Sequence, residues 1–287
     1  KQNAQLARQT KRKGRPKIRK LDDANRAGGS KAQQCHLFLT EGDSAKSTAM
    51  RGLSVLGRDF YGVYPLKGKP LNVRDVSKDK VLENNEIKDI ITAIGLEYGK
   101  KYHNTQDLRY GKVVIMSDQD YDGYHIKGLL INLFDTFWPE LLKMDFLYEF
   151  VTPIVRISKG KEIKYFYRLV DYKKWRDSGQ TKGWFIKYYK GLGTIEPKES
   201  KKFFKEINKH LIKFHYQEEE RTEDLIDMAF RKKRADDRKD WLLKYNPQQE
   251  IDKFTEKTTI DSFIDQELIE YSMESNHRQI PSVVDGL

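Results

Sequence analysis

The most constraining stretch of the chain is an apolar run that ends in acid. Lys112 to Ser117 (KVVIMS) carries no charge after Lys112, and Asp118-Gln119-Asp120-Tyr121-Asp122-Gly123 follows at once. Such a run reads as a strand buried on both faces, the pattern of a parallel sheet. Three carboxylates at alternate positions then fall where the strand runs out, and in open α/β sheets that is where ligand sites gather. Carboxylates so close repel one another unless a cation sits between them. Oxygen donors at that density suit a hard cation, Mg²⁺ before Zn²⁺. A solvated acidic turn after a strand has the same local composition, so the hexapeptide alone leaves both readings open.

A second stretch narrows the choice. Cys35 to Thr40 (CHLFLT) is another short apolar run, and it ends at Glu41-Gly42-Asp43-Ser44-Ala45-Lys46. Glu41 and Asp118 are 77 positions apart, room for two or three strand–helix crossovers, so both acids can lie on the same edge of one sheet. A glutamate from one strand end facing an Asp-x-Asp from another makes a cradle for a divalent metal.

EGDSAK followed by DQDYDG resembles the Toprim domain of type IIA DNA topoisomerases. Pro65 to Arg74 (PLKGKPLNVR) is similar to that family's PLRGKxLNVR, and Tyr188 to Thr194 (YYKGLGT) to its YKGLGT. Leu21 to Gly29 (LDDANRAGG) and Ala229 to Trp241 (AFRKKRADDRKDW) match as well. The resemblance runs from about residue 21 to the C-terminus. DQDxDG, in place of the DADxDG usual in gyrase, points to the eukaryotic and large-DNA-virus branch. It implies a nuclear location for a eukaryotic protein, and the host cytoplasm or a virus factory for a viral one.

The fold class this implies is α/β: a Toprim (Rossmann-like) parallel sheet flanked by helices, with an extra α+β segment and a helical C-terminal lead-in to a winged-helix domain. The expected division is a basic linker or arm at 1–20, a Toprim metal-binding domain at 21–168, a Toprim C-terminal extension at 169–250 and the lead-in at 251–287. The chain has no initial Met and is expected to begin mid-protein, with an ATPase region before residue 1 and the winged-helix domain, which bears the cleaving tyrosine, beyond residue 287.

The resemblance also assigns roles. Glu41, Asp118 and Asp120 are implied as Mg²⁺ ligands and catalytic residues, with Asp122 close enough to help and Asp118 shared between two metals. Two metals about 4 Å apart can steady both the attacking and the leaving oxygen of a phosphodiester. Glu41 is also implied as the acid or base at the leaving 3′-oxygen. Lys67, Lys69 and Lys190 are implied DNA contacts. The family usually has Arg where this chain has Lys67, and lysine keeps the charge but loses the planar fork. The function implied is the metal-binding part of a cleavage and religation core. That core makes transient double-strand breaks in double-stranded DNA through 5′-phosphotyrosine links. The full-length protein would be an ATP-dependent homodimer, binding ATP only through a region outside this chain, and the chain alone is expected to be inactive. Two other readings share some of these features, a Toprim nuclease and a non-catalytic DNA-binding module working through its basic arm.

Composition bounds these readings. The net charge is +11, and the first twenty residues hold nine Lys or Arg and no acid, which leaves +2 for the other 267. Their Gly-Arg-Pro-Lys core resembles an AT-hook, which lays arginine in a narrow minor groove; a solvated basic linker has the same composition. The single cysteine, Cys35, excludes an internal disulfide and a zinc cluster. No run approaches the ~18 apolar residues of a membrane span. The six histidines show no ligand spacing, and His125 is assigned no chemistry.

Periodicity predicts strands at 35–40, 60–64, 112–117 and 184–189, and a β hairpin within 150–168 turning at Gly160. It predicts helices after Glu41, capped by Asp43 or Ser44, over 75–98, from near Gly123 to Pro139 with a second short helix opening there, through 197–246, and over 259–273. Lys190-Gly191-Leu192-Gly193-Thr194 reads either as a phosphate-binding loop or as tight-turn packing.

Overall fold

In the computed structural model, residues 16–246 and 257–284 are described. The first fifteen residues, with most of the expected basic arm and the Gly14-Arg15 half of its AT-hook-like core, lie outside them, as do residues 247–256 and 285–287.

The apolar runs form the centre of a six-stranded sheet. In chain order its first elements are β1 (His36–Thr40), helix α1 (Gly42–Leu53) and β2 (Tyr61–Pro65). Helices α2 (Lys78–Glu83) and α3 (Asn85–Ile94) follow, then β3 (Lys112–Met116), α4 (Tyr121–Phe137), α5 (Pro139–Leu142) and β4 (Leu147–Phe150). β1 lies between β2 and β3, and β4 continues the sheet beyond β3, all parallel. Both sheet faces are covered, so the strands need no polar alternation. On one face Leu37, Leu39, Val113 and Ile115 pack beneath α3 and α4. On the other, Phe38, Val114 and Met116 meet Ala45, Ala49 and Leu53 of α1.

The second half of the chain adds a smaller sheet and then returns to the first. β5 (Val155–Lys159), β6 (Glu162–Phe166) and β7 (Phe185–Tyr188) make an antiparallel sheet with β5 in the middle, and α6 (Leu169–Asp177) links β6 to β7. After α7 (Pro197–Lys205) and α8 (Ile207–His210), β8 (Leu211–His215) pairs antiparallel with β4. Then come α9 (Glu219–Phe230), α10 (Ala235–Leu243), β9 (Lys257–Thr259) on the outer side of β8, α11 (Ile260–Phe263), one π turn at Ile264–Leu268, and α12 (Ile269–Val284).

Several expectations are corrected. The stretch 197–246 is not helical throughout: Leu211, Ile212 and Phe214 turn into the core as β8, and tertiary burial outweighs the charge around them. The helix expected over 75–98 breaks at Asn84, whose side chain accepts from the Ile87 N–H and so starts α3 as an N-cap. α1 begins at Gly42 with no side-chain cap, so Asp43 and Ser44 sit inside its first turn. The final helix is two helices joined by the π turn.

That π turn carries Glu267, one of two carboxylates around a buried lysine. Lys127 on α4 is 1% exposed; its Nζ lies 2.5 Å from Glu149 on β4 and 3.3 Å from Glu267. The triad fastens the C-terminal helices to the main sheet. Removing one partner of a buried ion pair leaves uncompensated charge. Lys127→Met should therefore cost about 3–5 kcal/mol of unfolding free energy by the same rule, read from the urea midpoint at unchanged slope.

Candidate metal centre

β1 and β3 are paired so that Thr40 stands beside Met116. The two strands therefore end together, and the residues that follow emerge at one rim. The Glu41 N–H donates to the Met116 carbonyl at 3.1 Å, and the Asp118 N–H donates to Glu41 Oε2 at 3.0 Å. Two acids separated by most of a domain in sequence are thus joined through one hydrogen bond.

The neighbouring acids are held by local geometry. Asp120 is the N-cap of α4: its Oδ1 accepts from the Gly123 N–H at 2.8 Å. Gly123 must be glycine, because a Cβ there would lie 2.0 Å from the Asp118 carbonyl oxygen. Asp122, in the first turn of α4, is ion-paired with Lys69 at 2.8 Å. Asp118 is fixed from the second half of the chain, where the Leu192 N–H donates to its Oδ1 at 2.7 Å. Gly191 lets this happen, since a Cβ there would sit 2.4 Å from Asp118 Oδ2.

Among the described residues, no three His, Cys, Asp or Glu side chains are gathered around one point at ligand spacing. The donor set nonetheless suits a hard cation. Glu41, Asp118 and Asp120 each spend one oxygen on the bonds named, and their other oxygens have no protein hydrogen bond among the described residues. Burial, then the charges of Asp118, Asp120 and Asp122, push the Glu41 carboxyl up to about 7, against the opposing bond from the Asp118 N–H. Burial and Asp120 likewise raise Asp118, while the Leu192 N–H lowers it. Crowded acid oxygens that oppose one another's ionisation are the setting in which a divalent cation is stabilising.

Of the three lysines, Lys67 is exposed, Lys69 is tied to Asp122 and lies 5.0 Å from the Tyr271 ring centroid, and Lys190 is exposed on a cleft beside the acids. The cleft, about 440 Å³, is lined by Asp118 and Asp120 together with Tyr188, Arg168 and Lys173. His125 stacks on Tyr271 with centroids 4.0 Å apart, and burial with nearby Lys69 pushes it down to about 4.

Comparison with known proteins agrees with this fold. Residues 36–151 match the Toprim domain and residues 150–276 the C-terminal associated domain of Toprim. The chain is 50% identical over 279 residues to a probable DNA topoisomerase 2 of Dictyostelium discoideum, covering 96% of this chain and 18% of that protein. It is 48% identical over 286 residues to DNA topoisomerase 2-alpha of Homo sapiens, covering 94% of this chain and 19% of that protein. A crystal structure of the Plasmodium falciparum topoisomerase II DNA-binding, cleavage and re-ligation domain superposes with a TM-score of 0.88 at 48% identity, covering 92% of this chain and 36% of that one. The chain belongs to the Toprim family, in the form found in type II DNA topoisomerases. It spans about a fifth of the length of the curated relatives named here.

Within the Toprim fold, the KGLGT segment is the part whose role its sequence left open. Its glycines serve close packing: its backbone orients Asp118, and its Leu192 carbonyl is anchored by Thr48 Oγ1 of α1 at 3.0 Å. The pair of glycines was the available signal. Lys46 of EGDSAK points away from the acids and pairs with Asp22 at 2.5 Å.

The raised Glu41 carboxyl has a measurable consequence without any ligand. Its folded pKa lies above the ordinary value of 4.5, so the fold favours the protonated form. No stability is lost below pH 4.5; the loss grows as pH rises to about 7 and is constant above it. Glu41→Gln keeps an oxygen for the Asp118 N–H and removes the charge. In EDTA it should be more stable than the parent by about 1–3 kcal/mol at pH 8 and equal to it at pH 4, measured by denaturant titration.

Proposed function

We propose that the chain is the metal-binding part of the DNA cleavage and religation core of an ATP-dependent type IIA topoisomerase. The observation that carries this reading is the 3.0 Å bond joining Glu41 to Asp118, which makes one rim of two remote acidic motifs. In this reading Glu41, Asp118 and Asp120 hold Mg²⁺, with Asp118 between two sites and Asp122 assisting from the α4 side. The bound ions would supply charge stabilisation to the oxygens of the phosphodiester being exchanged.

The residues of the chain do the rest. The Gly191–Leu192 backbone orients Asp118, and the first turn of α4 orients Asp120. The N-terminus of a 17-residue helix beneath Asp120 also favours negative charge there. Glu41 is, in this reading, also the acid or base that gives a proton to the leaving 3′-oxygen and takes it back on religation. Lys67, Lys69 and Lys190 contact backbone phosphate without reading sequence. Lys69 serves twice, as a phosphate contact and as the counter-ion of Asp122.

The tyrosine that forms the 5′-phosphotyrosine link, the ATP-binding region and the homodimer contacts belong, in this reading, to parts of the protein other than these residues. The relatives named above are eukaryotic, which favours a nuclear setting, although one Dictyostelium discoideum relative is named a mitochondrial enzyme.

Asp120→Asn is the decisive substitution, because the amide oxygen keeps the cap on Gly123 while the charge is lost. In the full-length protein it should reduce Mg²⁺-dependent plasmid cleavage by at least ~100-fold, as expected for loss of a metal ligand, with an unchanged melting temperature. Near-normal cleavage by this variant would remove Asp120 from the metal site. The 287-residue chain alone should bind Mg²⁺ and leave supercoiled plasmid unrelaxed.

A further inference from the structure

The charge of the chain is segregated. Residues 155–190 hold eleven Lys or Arg against three Asp or Glu. With these and the first twenty residues set aside, the remaining 231 carry a net charge of −6. The same 36 residues hold nine Tyr, Phe or Trp. They are the β5–β6–β7 sheet and α6, so the charge belongs to one structural unit.

One face of that sheet is used for packing. Val155, Ile157, Phe166 and Ile186 bury themselves against Tyr172 and Trp175 of α6. The other face is divided. Its inner half meets α7, where Glu199 pairs with Arg156 at 3.5 Å and Lys187 at 3.1 Å. On its outer half Ile163, Ser158 and Phe185 stand side by side in register, with Ile163 41% and Phe185 67% exposed.

Lysines crowd the tip next to this outer half. Lys159, Lys161 and Lys182 are exposed, and Lys159 Nζ donates to the Lys182 carbonyl at 3.3 Å, so the β5–β6 turn and the segment before β7 share one tip. On the α6 face of the same unit, Lys164 lies 5.0 Å from the Trp184 ring centroid and pairs with Glu162 at 3.1 Å. Glu162 is the one acid ion-paired with these four lysines among the described residues. Lys173 and Lys190 of the same unit line the cleft that Asp118 and Asp120 also line.

We propose that the β5–β7 unit is a second nucleic-acid contact surface, which holds the flank of a DNA duplex whose reacting phosphodiester lies at the acidic rim. The proposal rests on the reading that DNA is the substrate. Like charges crowded at one tip repel one another, and a polyanion removes that repulsion while releasing its own counterions. The exposed Ile163 and Phe185 beside the tip give the sugar edge a surface to lie on. Lysine presents point charges without a planar fork, so the contact is to phosphate and independent of sequence. A duplex is favoured over an acidic protein because Arg168, Lys173 and Lys190 of this unit line the same cleft as Asp118 and Asp120, the site proposed for the same strand.

The test uses the intact chain, fluorescently labelled duplexes of about 12 and about 30 base pairs, and a salt titration of anisotropy. Each phosphate contact contributes roughly 0.9 to the slope of log affinity against log salt. The triple variant Lys159→Gln, Lys161→Gln, Lys182→Gln should flatten that slope by about 2–3 for the long duplex and weaken its binding by roughly 10-fold at moderate salt. The short duplex should bind as before, and the Lys→Arg triple should restore the long one. If melting shows the triple variant to be unfolded, Lys161→Gln alone should reduce the slope by about 0.9. An unchanged slope and affinity for the long duplex would overturn the proposal. So would DNA binding that survives while binding to a polyglutamate peptide is lost, which would make the patch a protein-docking face. Failure here with the Asp120→Asn cleavage defect intact separates this surface from the metal centre. Absence of binding to either duplex by the parent chain would sink both.

Discussion

The register between β1 and β3 is the constraint on which the site depends. Thr40 beside Met116 brings the Glu41 side chain to the Asp118 amide. A slip by one residue would send alternate side chains to the opposite face. Yet KVVIM is apolar on both faces, so hydrophobic pattern alone sets its register weakly. The flanks set it. Just before β3, Arg109 and Tyr110 bond Asp23, and the Tyr110 hydroxyl accepts from the Ala24 N–H at 2.9 Å. Gly111 passes so close to Gln33 that a Cβ would lie 2.0 Å from its carbonyl oxygen. The LDDANRAGG segment thus pins the strand whose far end carries the aspartates.

At the other end of the strand, the acids are held apart by backbone and not by counter-charge. Asp118 and Asp120 each accept from a main-chain N–H, and Glu41 accepts from Asp118 itself. Asp122 is the exception, with its partner Lys69 arriving from the loop after β2. That loop is in turn fixed by Arg74, which donates to Asn132 and Asp135 on α4 at 3.0 and 2.6 Å. Backbone donors cost no mobile charge and leave a carboxylate oxygen free to turn outward, whereas lysine or arginine on every acid would neutralise the rim. The arrangement keeps negative potential where a cation is useful and accepts raised carboxyl pKa values as the cost.

The central strands were legible because nothing in them contradicts a buried parallel strand, and the acids were legible because they interrupt it. β4 was harder to see. Its sequence, Leu147 to Phe150, contains Glu149, and the lysine that neutralises this glutamate in the core lies on α4. β8 hid in the same way, since Lys213 reads as a solvated helical face until its neighbours Ile212 and Phe214 are seen buried. In both cases the missing information was a pairing across the fold, which a local pattern does not contain. The KGLGT segment stayed ambiguous for a related reason: its glycines announce a close approach without saying to what, and the object approached is Asp118, 74 positions away.

Charge shows the same limit from the other side. A net of +2 beyond the N-terminal arm suggests a nearly neutral fold, and that average conceals two opposed surfaces. An acidic rim and basic side chains of the small sheet's unit line one cleft, and charges of opposite sign across a low-dielectric cleft focus the field there. Were the signs intermixed, the aspartates would find lysine partners within the protein, as Asp122 does with Lys69, and the rim would lose its affinity for a cation. Segregation protects the acids from neutralisation by the chain's own lysines, and it leaves those lysines available for a phosphate backbone. The distance in sequence between residue 41 and residue 190 is therefore part of the physical design: the two charges are carried by different sheets, and packing of α7 against α1 holds them near each other without letting them pair.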